Sequence, residues 1–184
     1  MQLHALNIAD CFKISPKRLK DQRGEFIKIF QKSLFDLHGL PSNFIESYST
    51  FSHTGVIRGM HFQVPPFDHS KLIRCVMGEV LDVILDIRIG SPTYLQTEAI
   101  KLSRDLGDMV FLPPGIAHGF FSVTDALMEY LVTSEYSPEH DSGIYWNSIN
   151  FQWPNQEVIT SSRDDRLLPL KEFNSPFIYQ KNNI

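Results

Sequence analysis

The sequence predicts an all-β fold, an antiparallel sandwich or barrel with few short helices, and three observations carry that expectation. Period-two patterns dominate the chain, the apolar segments are short and rich in Val, Ile, Phe and Tyr, and Gly, Pro, Asp and Ser punctuate them. No repeat, low-complexity tract or Ser/Gly-rich linker divides the 184 residues, so a single domain spans 1–184.

In order along the chain, Gly24 to Phe30 alternates as a strand and Gln31 to Gly39 is one short helical turn region. Strands follow over Phe44 to Phe51, Gly55 to Gln63, Lys71 to Met77, Glu79 to Arg88, Thr97 to Leu102, Met109 to Leu112, His118 to Val123 and Leu127 to Glu135. The tail from Ser161 to Leu170 holds one helical turn.

The Glu79 to Arg88 segment has two different faces. Leu81, Val83, Leu85 and Ile87 form one; Val80, Asp82, Ile84 and Asp86 form the other, with acids set among apolar residues. Either the second face lines a barrel lumen, where each Asp must be paired, or Asp82 faces water on a half-exposed sheet. A tight turn at Met77-Gly78 would pair the flanking strands, with Asp82 opposite Ile73 and Ile84 opposite Lys71. The loop from Val64 to Ser70 folds His61 back toward Lys71. A second turn at Thr124-Asp125 brings Tyr130 close to opposite His118. The residues alone thus suggest two neighbourhoods, one of His61, Lys71 and Asp82 and one of His118 and Tyr130.

Composition excludes several classes. Hydrophobic residues at 42% suffice for a sizeable core, and a formal charge of -4 argues against a nucleic-acid binder held by its net field. No apolar run approaches the roughly 20 residues of a membrane helix, and Met1 to Asp10 has no basic stretch leading into an apolar one, so neither membrane nor secretion is expected. Cys11 and Cys75 form no disulfide framework, and their thiols are expected to be inert. The cytoplasm is the expected location.

The spacing Gly107-x5-Pro113-x-Gly115-x-x-His118 is similar to the second cupin motif, which implies a cupin-type double-stranded β-helix, or jelly-roll barrel. Where the first cupin motif supplies metal ligands, Gly59 to Gln63 offers only His61. Two histidines do not make a three- or four-ligand site, so no metal and no cofactor are expected.

A more specific resemblance runs in order through nearly the whole chain. Asp21-x-Arg23-Gly24, the stretch from Gly55 through Arg58 and His61 to Pro66, Lys71-Leu72, Gly78-Glu79-Val80-x-Asp82, and Asp86-x-Arg88-x-x-Ser91 begin it. Pro113 to Phe120, Ile144-x-Trp146-Asn147, Trp153-Pro154 and Ser161-x-Arg163-Asp164 complete it. Together they resemble the dTDP-4-dehydrorhamnose 3,5-epimerase family. The resemblance implies a substrate of the nucleoside-diphosphate 4-keto-6-deoxyhexose class, whose C4 carbonyl acidifies the hydrogens on C3 and C5.

By that resemblance His61 is the base, Asp164 orients it, and Lys71 quiets the enolate oxygen. Asp165 could replace Asp164 were the alignment to slip by one. Asp82 with His118 forms a second pair, and Tyr130 is the proton donor, in preference to Tyr136. Arg58 holds a diphosphate oxygen. Arg23 and Phe26 contact the nucleoside from the neighbouring subunit of a homodimer that exchanges N-terminal strands, whose apolar residues include Phe26, Ile27, Ile29 and Phe30.

Departures cluster at the nucleotide end: Lys28 stands where the family has an acid, Glu46 where it has Gln, and Tyr48 where it has Asn. Leu131 follows the donor Tyr in place of Lys. Glu46 and Tyr48 are still expected to line the substrate site, and the base could be thymine, cytosine or guanine. The departures keep open inversion at a single carbon, a 3,4-ketoisomerisation, and a nucleotide-sugar-binding cupin without turnover.

Overall fold

The computed structural model describes residues 1–155 and 157–180. Thirteen strands and one helix run in the order β1 (Gln2–Ala5), β2 (Phe12–Ser15), β3 (Arg18–Asp21), β4 (Gly24–Ile27), α1 (Lys32–Leu37), β5 (Glu46–Ser52), β6 (Ile57–Gln63), β7 (Lys71–Met77), β8 (Glu79–Asp86), β9 (Thr97–Ser103), β10 (Met109–Leu112), β11 (Ile116–Ser122), β12 (Ala126–Val132) and β13 (Asp141–Gly143). Single 3-10 turns at Trp146–Ser148, Asp164–Arg166 and Leu170–Glu172 follow. The strands form a six-stranded sheet, β1-β2-β10-β7-β12-β5, and a five-stranded sheet, β13-β6-β11-β8-β9, packed as a jelly roll. β3 and β4 form a separate ribbon. Among the described residues no helix is long and apolar enough to cross a membrane.

Three clusters hold these layers. Between the sheets lie Ile73, Val80, Ile84, Leu102, Val110, Phe120, Met128 and Tyr130. Outside the five-stranded sheet, Val83 and Leu85 of β8, with Ile87 just beyond it, meet Trp146, Trp153 and Phe177 of the C-terminal segment. Outside the six-stranded sheet, Leu72, Met109 and Phe111 lie beneath Phe35 of α1. β8 is therefore covered on both faces, and this decides between the two readings of its pattern. Asp82 and Asp86 point inward and are fully buried; the half-exposed alternative is overturned.

The two expected hairpins are also overturned. Met77-Gly78 and Thr124-Asp125 are corners at which the chain crosses from one sheet to the other, so β7 never pairs with β8, nor β11 with β12. β8 pairs instead with β9 and β11, and β7 with β10 and β12. The corners interlock: Gly78 has φ +74°, a Cβ there would overlap the Asp125 carbonyl, and Glu79 N–H donates to Thr124 Oγ1 at 3.0 Å. Because β7 and β8 each have two buried faces, alternation alone could not distinguish adjacent strands from facing ones. The residues that the hairpins were to bring together face one another across the sandwich instead.

Pairings at both ends went unforeseen. β1, β2 and β3 are four residues each, and their strand character is set by the partners they find. The strand expected to reach Phe30 ends at Ile27, that expected to reach Arg88 ends at Asp86, and that expected to reach Glu135 ends at Val132.

Candidate active site

A cavity of about 370 Å³ opens between the sheets, with His61, Arg58 and His118 on one wall and Lys71, Tyr130 and Tyr48 on the other. The two neighbourhoods read from the sequence are one. Strict alternation along β6 would turn Arg58 and His61 to opposite faces. Both face the cavity because β6 bulges between them: His118 pairs with His61 and Phe120 with Arg58, so two steps on β11 meet three on β6. Gly59 makes the bulge possible. Its φ is +130°, and a Cβ there would overlap the Gly119 Cα on β11.

His61 Nε2 lies 2.7 Å from Asp164 Oδ1. Asp164 is buried, and its other oxygen accepts the Gly59 N–H at 3.2 Å, while its own N–H donates to Ser161 Oγ at 3.1 Å. The bulge that aims His61 therefore also supplies a donor to the carboxylate that orients it. Asp165 bonds Thr160 instead, which settles the choice between the two acids for the His61 contact. Burial pulls the His61 imidazole below its ordinary range, against the opposing pull of Asp164. Burial acts on Asp164 in the other direction, but the His61 hydrogen bond, its charge and the Gly59 N–H outweigh it and leave the carboxyl below its usual value. The pair rests as neutral imidazole and carboxylate.

Lys71 is almost completely buried and donates to the His61 carbonyl at 3.1 Å. That bond ties the two walls together and leaves two N–H groups for another acceptor. Burial lowers the ammonium from 10.5 to about 8, partly offset by Asp141 and Asp82. It is still charged near neutrality, and among the described residues no carboxylate is bonded to it.

His118 Nε2 lies 2.6 Å from Asp82 Oδ2, both deep in the barrel. The Tyr130 ring meets His118 edge-on, with centroids 6.1 Å apart. Burial, with Asp82 and Tyr48 nearby, raises the Tyr130 phenol well above the ordinary range, so it holds its proton. Arg58 donates Nε to Ser52 Oγ at 2.9 Å and Nη2 to the Phe51 carbonyl at 3.1 Å. Among the described residues these partners are neutral, so no carboxylate offsets its charge at the cavity edge.

The family model described as dTDP-4-dehydrorhamnose 3,5-epimerase matches residues 5–172. The chain belongs to this family. It is 36% identical to the dTDP-4-dehydrorhamnose 3,5-epimerase of Sinorhizobium fredii over 98% of its own length and 95% of the relative's. A dTDP-6-deoxy-D-glucose-3,5-epimerase of Legionella pneumophila, solved in complex with dTDP-4-keto-L-rhamnose, superposes with a TM-score of 0.92 at 31% identity, covering 98% of this chain and 99% of that one. A dTDP-4-dehydrorhamnose 3-epimerase of Streptomyces niveus is 34% identical over 94% of this chain and 85% of its own.

For a member of this epimerase family, the site residues expected from sequence divide clearly. His61, Lys71, His118, Tyr130, Arg58, Glu46 and Tyr48 line the cavity, with Asp164 and Asp82 directly behind the two histidines. Arg23 and Phe26 do not line it. They lie on the β3–β4 ribbon, Arg23 paired with Asp21 at 2.7 Å and Phe26 58% exposed. Leu131 points out of the barrel into the cluster beneath α1, so its departure from the family pattern leaves the cavity unchanged.

Sequence reasoning missed Gln63, His69, Asp141 and Arg163, all of which line the cavity, as does Tyr136, which it had weighed only as a rival donor. Arg163 pairs with Asp141 at 2.7 Å. Its adjacency to Asp164 in the Ser161-x-Arg163-Asp164 motif was an available signal, whereas Asp141 belongs to a three-residue strand with none.

Proposed function

We propose that this protein is a cofactor-independent isomerase that inverts C3 and C5 of a nucleoside-diphosphate 4-keto-6-deoxyhexose, of the dTDP-4-dehydro-6-deoxyglucose to dTDP-4-dehydrorhamnose type. One observation carries the reading: a carboxylate-oriented neutral histidine and a protonated phenol stand on opposite sheets of one cavity, which a buried ammonium also lines. Inversion requires a base on one face of the ring and a proton donor on the other.

In this reaction His61 takes the proton from C3 or C5, and the C–H electron pair enters the enolate whose oxygen was the C4 carbonyl. Lys71 stabilises that oxyanion, with its charge strengthened by the dry surroundings. Asp164 stabilises the resulting imidazolium. Tyr130 gives its proton to the opposite face, and exchange with solvent resets both residues, so nothing is oxidised or reduced. Arg58 takes a diphosphate oxygen. His118 with Asp82 holds the floor of the site.

The protein also acts as a homodimer in this reading. β5 ends its sheet with an unpaired edge beside the cavity, while the β3–β4 ribbon exposes Leu19 and Phe26. A partner's ribbon laid there would carry its Arg23 and Phe26 toward the nucleotide.

Deuterium from D2O should enter C3 and C5 of dTDP-4-keto-6-deoxyglucose, and H61A should abolish that entry; full exchange in H61A would refute the assignment of the base. The 3-epimerase relative favours one second reading, inversion at C3 alone. NMR of the product separates the two, because that reading leaves the configuration at C5 untouched.

A further inference from the structure

We propose that Tyr48 is a positioning residue for the Tyr130 phenol, holding its ring plane toward the substrate by face-to-face stacking. The inference rests on Tyr130 being the proton donor and adds a residue to that half of the reaction.

Tyr48 and Tyr130 are direct partners in the β5–β12 pairing, so both side chains leave the sheet on the same face. Their ring centroids are 4.7 Å apart and the planes differ by 16°, a stacked pair. His118 meets the same Tyr130 ring at 74°. One neighbour thus fixes the plane of the ring and the other blocks its edge. Rotation about the terminal torsion leaves the phenol oxygen on the ring axis but turns the plane in which its conjugated O–H lies. That torsion is intrinsically broad, so fixing the plane fixes the direction in which the proton is presented. A phenol that must release its proton is also poorly held through that same O–H. Packing aims it without engaging that bond.

The stack is a departure of this chain. The resemblance places Asn at this position in the family, a side chain with no ring to stack, whereas this chain has Tyr. Burial raises the Tyr48 phenol to about 12, with Glu46 and Asp141 adding to it, so the outer ring stays neutral and the stack is not broken by charge. Tyr48 is 38% exposed on an edge strand, where truncation leaves little void.

The test uses a partition. After His61 takes a proton, the enolate either regains a deuteron from the same side, which is exchange with retention, or receives one from Tyr130, which is inversion. Y48N and Y48L should raise the ratio of exchange to inversion about tenfold, the scale of a modest misplacement of a reacting group. Y48F, which keeps the ring, should show the wild-type ratio. An unchanged ratio in both truncations, or an equal rise in Y48F, overturns the proposal. A purely structural role would lower both processes together and leave the ratio unmoved, which also overturns it.

A second readout needs no substrate. With ring-labelled tyrosine, the two edges of Tyr130 should give separate NMR signals in wild type and Y48F and averaged signals in Y48L. Averaged signals already in wild type would refute the positioning role. Separate signals that merge in Y48L, in a wild type that neither exchanges nor inverts the sugar, would support the role and place the failure on the proposed reaction.

Discussion

At the residue scale, the site is an arrangement of three protons, and pH should reveal two of them. The base works as neutral imidazole, so kcat/KM should rise with pH through a value below the ordinary histidine range of about 6.5. It should fall again near pH 8, as the Lys71 ammonium is lost. D164N removes the charge that favours imidazolium, so the acid limb should move to lower pH while kcat drops about 10²–10⁴-fold, the usual weight of an oriented base. A steady-state pH series on both proteins checks this, and an acid limb moving upward would contradict it. Lys71 also carries a stability cost. Its folded value near 8 lies below the usual 10.5, so between those values the unfolded chain binds more protons and stability climbs with pH; below about 8 the full cost applies. K71M should therefore stabilise the fold at pH 7 by on the order of 3 kcal/mol while removing activity. Urea midpoints at constant m would show it.

At the element scale, the β6 bulge is the device on which the chemistry turns. It brings Arg58 and His61 to one face, sets His61 opposite His118, and presents the Gly59 N–H to Asp164. G59A forces a Cβ into Gly119 at a positive φ, and should cost on the order of 3 kcal/mol, read as a lowered melting temperature. The same feature marks the limit of what could be read in advance. Strand identity was legible where a short, mainly apolar segment stands between turn residues: Lys71–Met77 and Met109–Leu112 have the bounds expected of them. Pairing was not legible, because Met77-Gly78 reads as a hairpin turn whether the next strand stays in the sheet or leaves it. The inward face of β6 could not come from a period of two, since the bulge breaks that period at Gly59. His61 and Lys71 were reached through the ordered motifs, and Tyr130 through likeness to the family's donor and a hairpin that the structure replaces by a contact with His118 across the barrel; Asp141 and His69 have no motif, and only the closed barrel brings them to the cavity. The Leu131 departure looked chemical in one dimension and proves to face the helix.

At the scale of the whole molecule, Arg88 ties the chain's extremities to the barrel. Its guanidinium donates to Asp86 at 2.8 and 2.9 Å, to Asp10 at 3.0 Å and to the Ala9 carbonyl at 2.7 Å, and it lies 4.9 Å from the Tyr179 ring centre. R88A leaves Asp86 buried without its cation, held by the Ser91 and Thr93 hydroxyls and the backbone N–H of residue 88, and should cost about 3–5 kcal/mol in chemical denaturation. The open side of β5 bears on a different property. Tyr48 belongs to this outermost strand, and Tyr130 is one strand further in. Any chain that docks along that edge stiffens the backbone beneath both rings, so self-association and turnover become linked quantities. Specific activity should then decline as enzyme concentration falls through the dissociation range, in step with the change in mass seen by sedimentation, and a crowded solution should restore it.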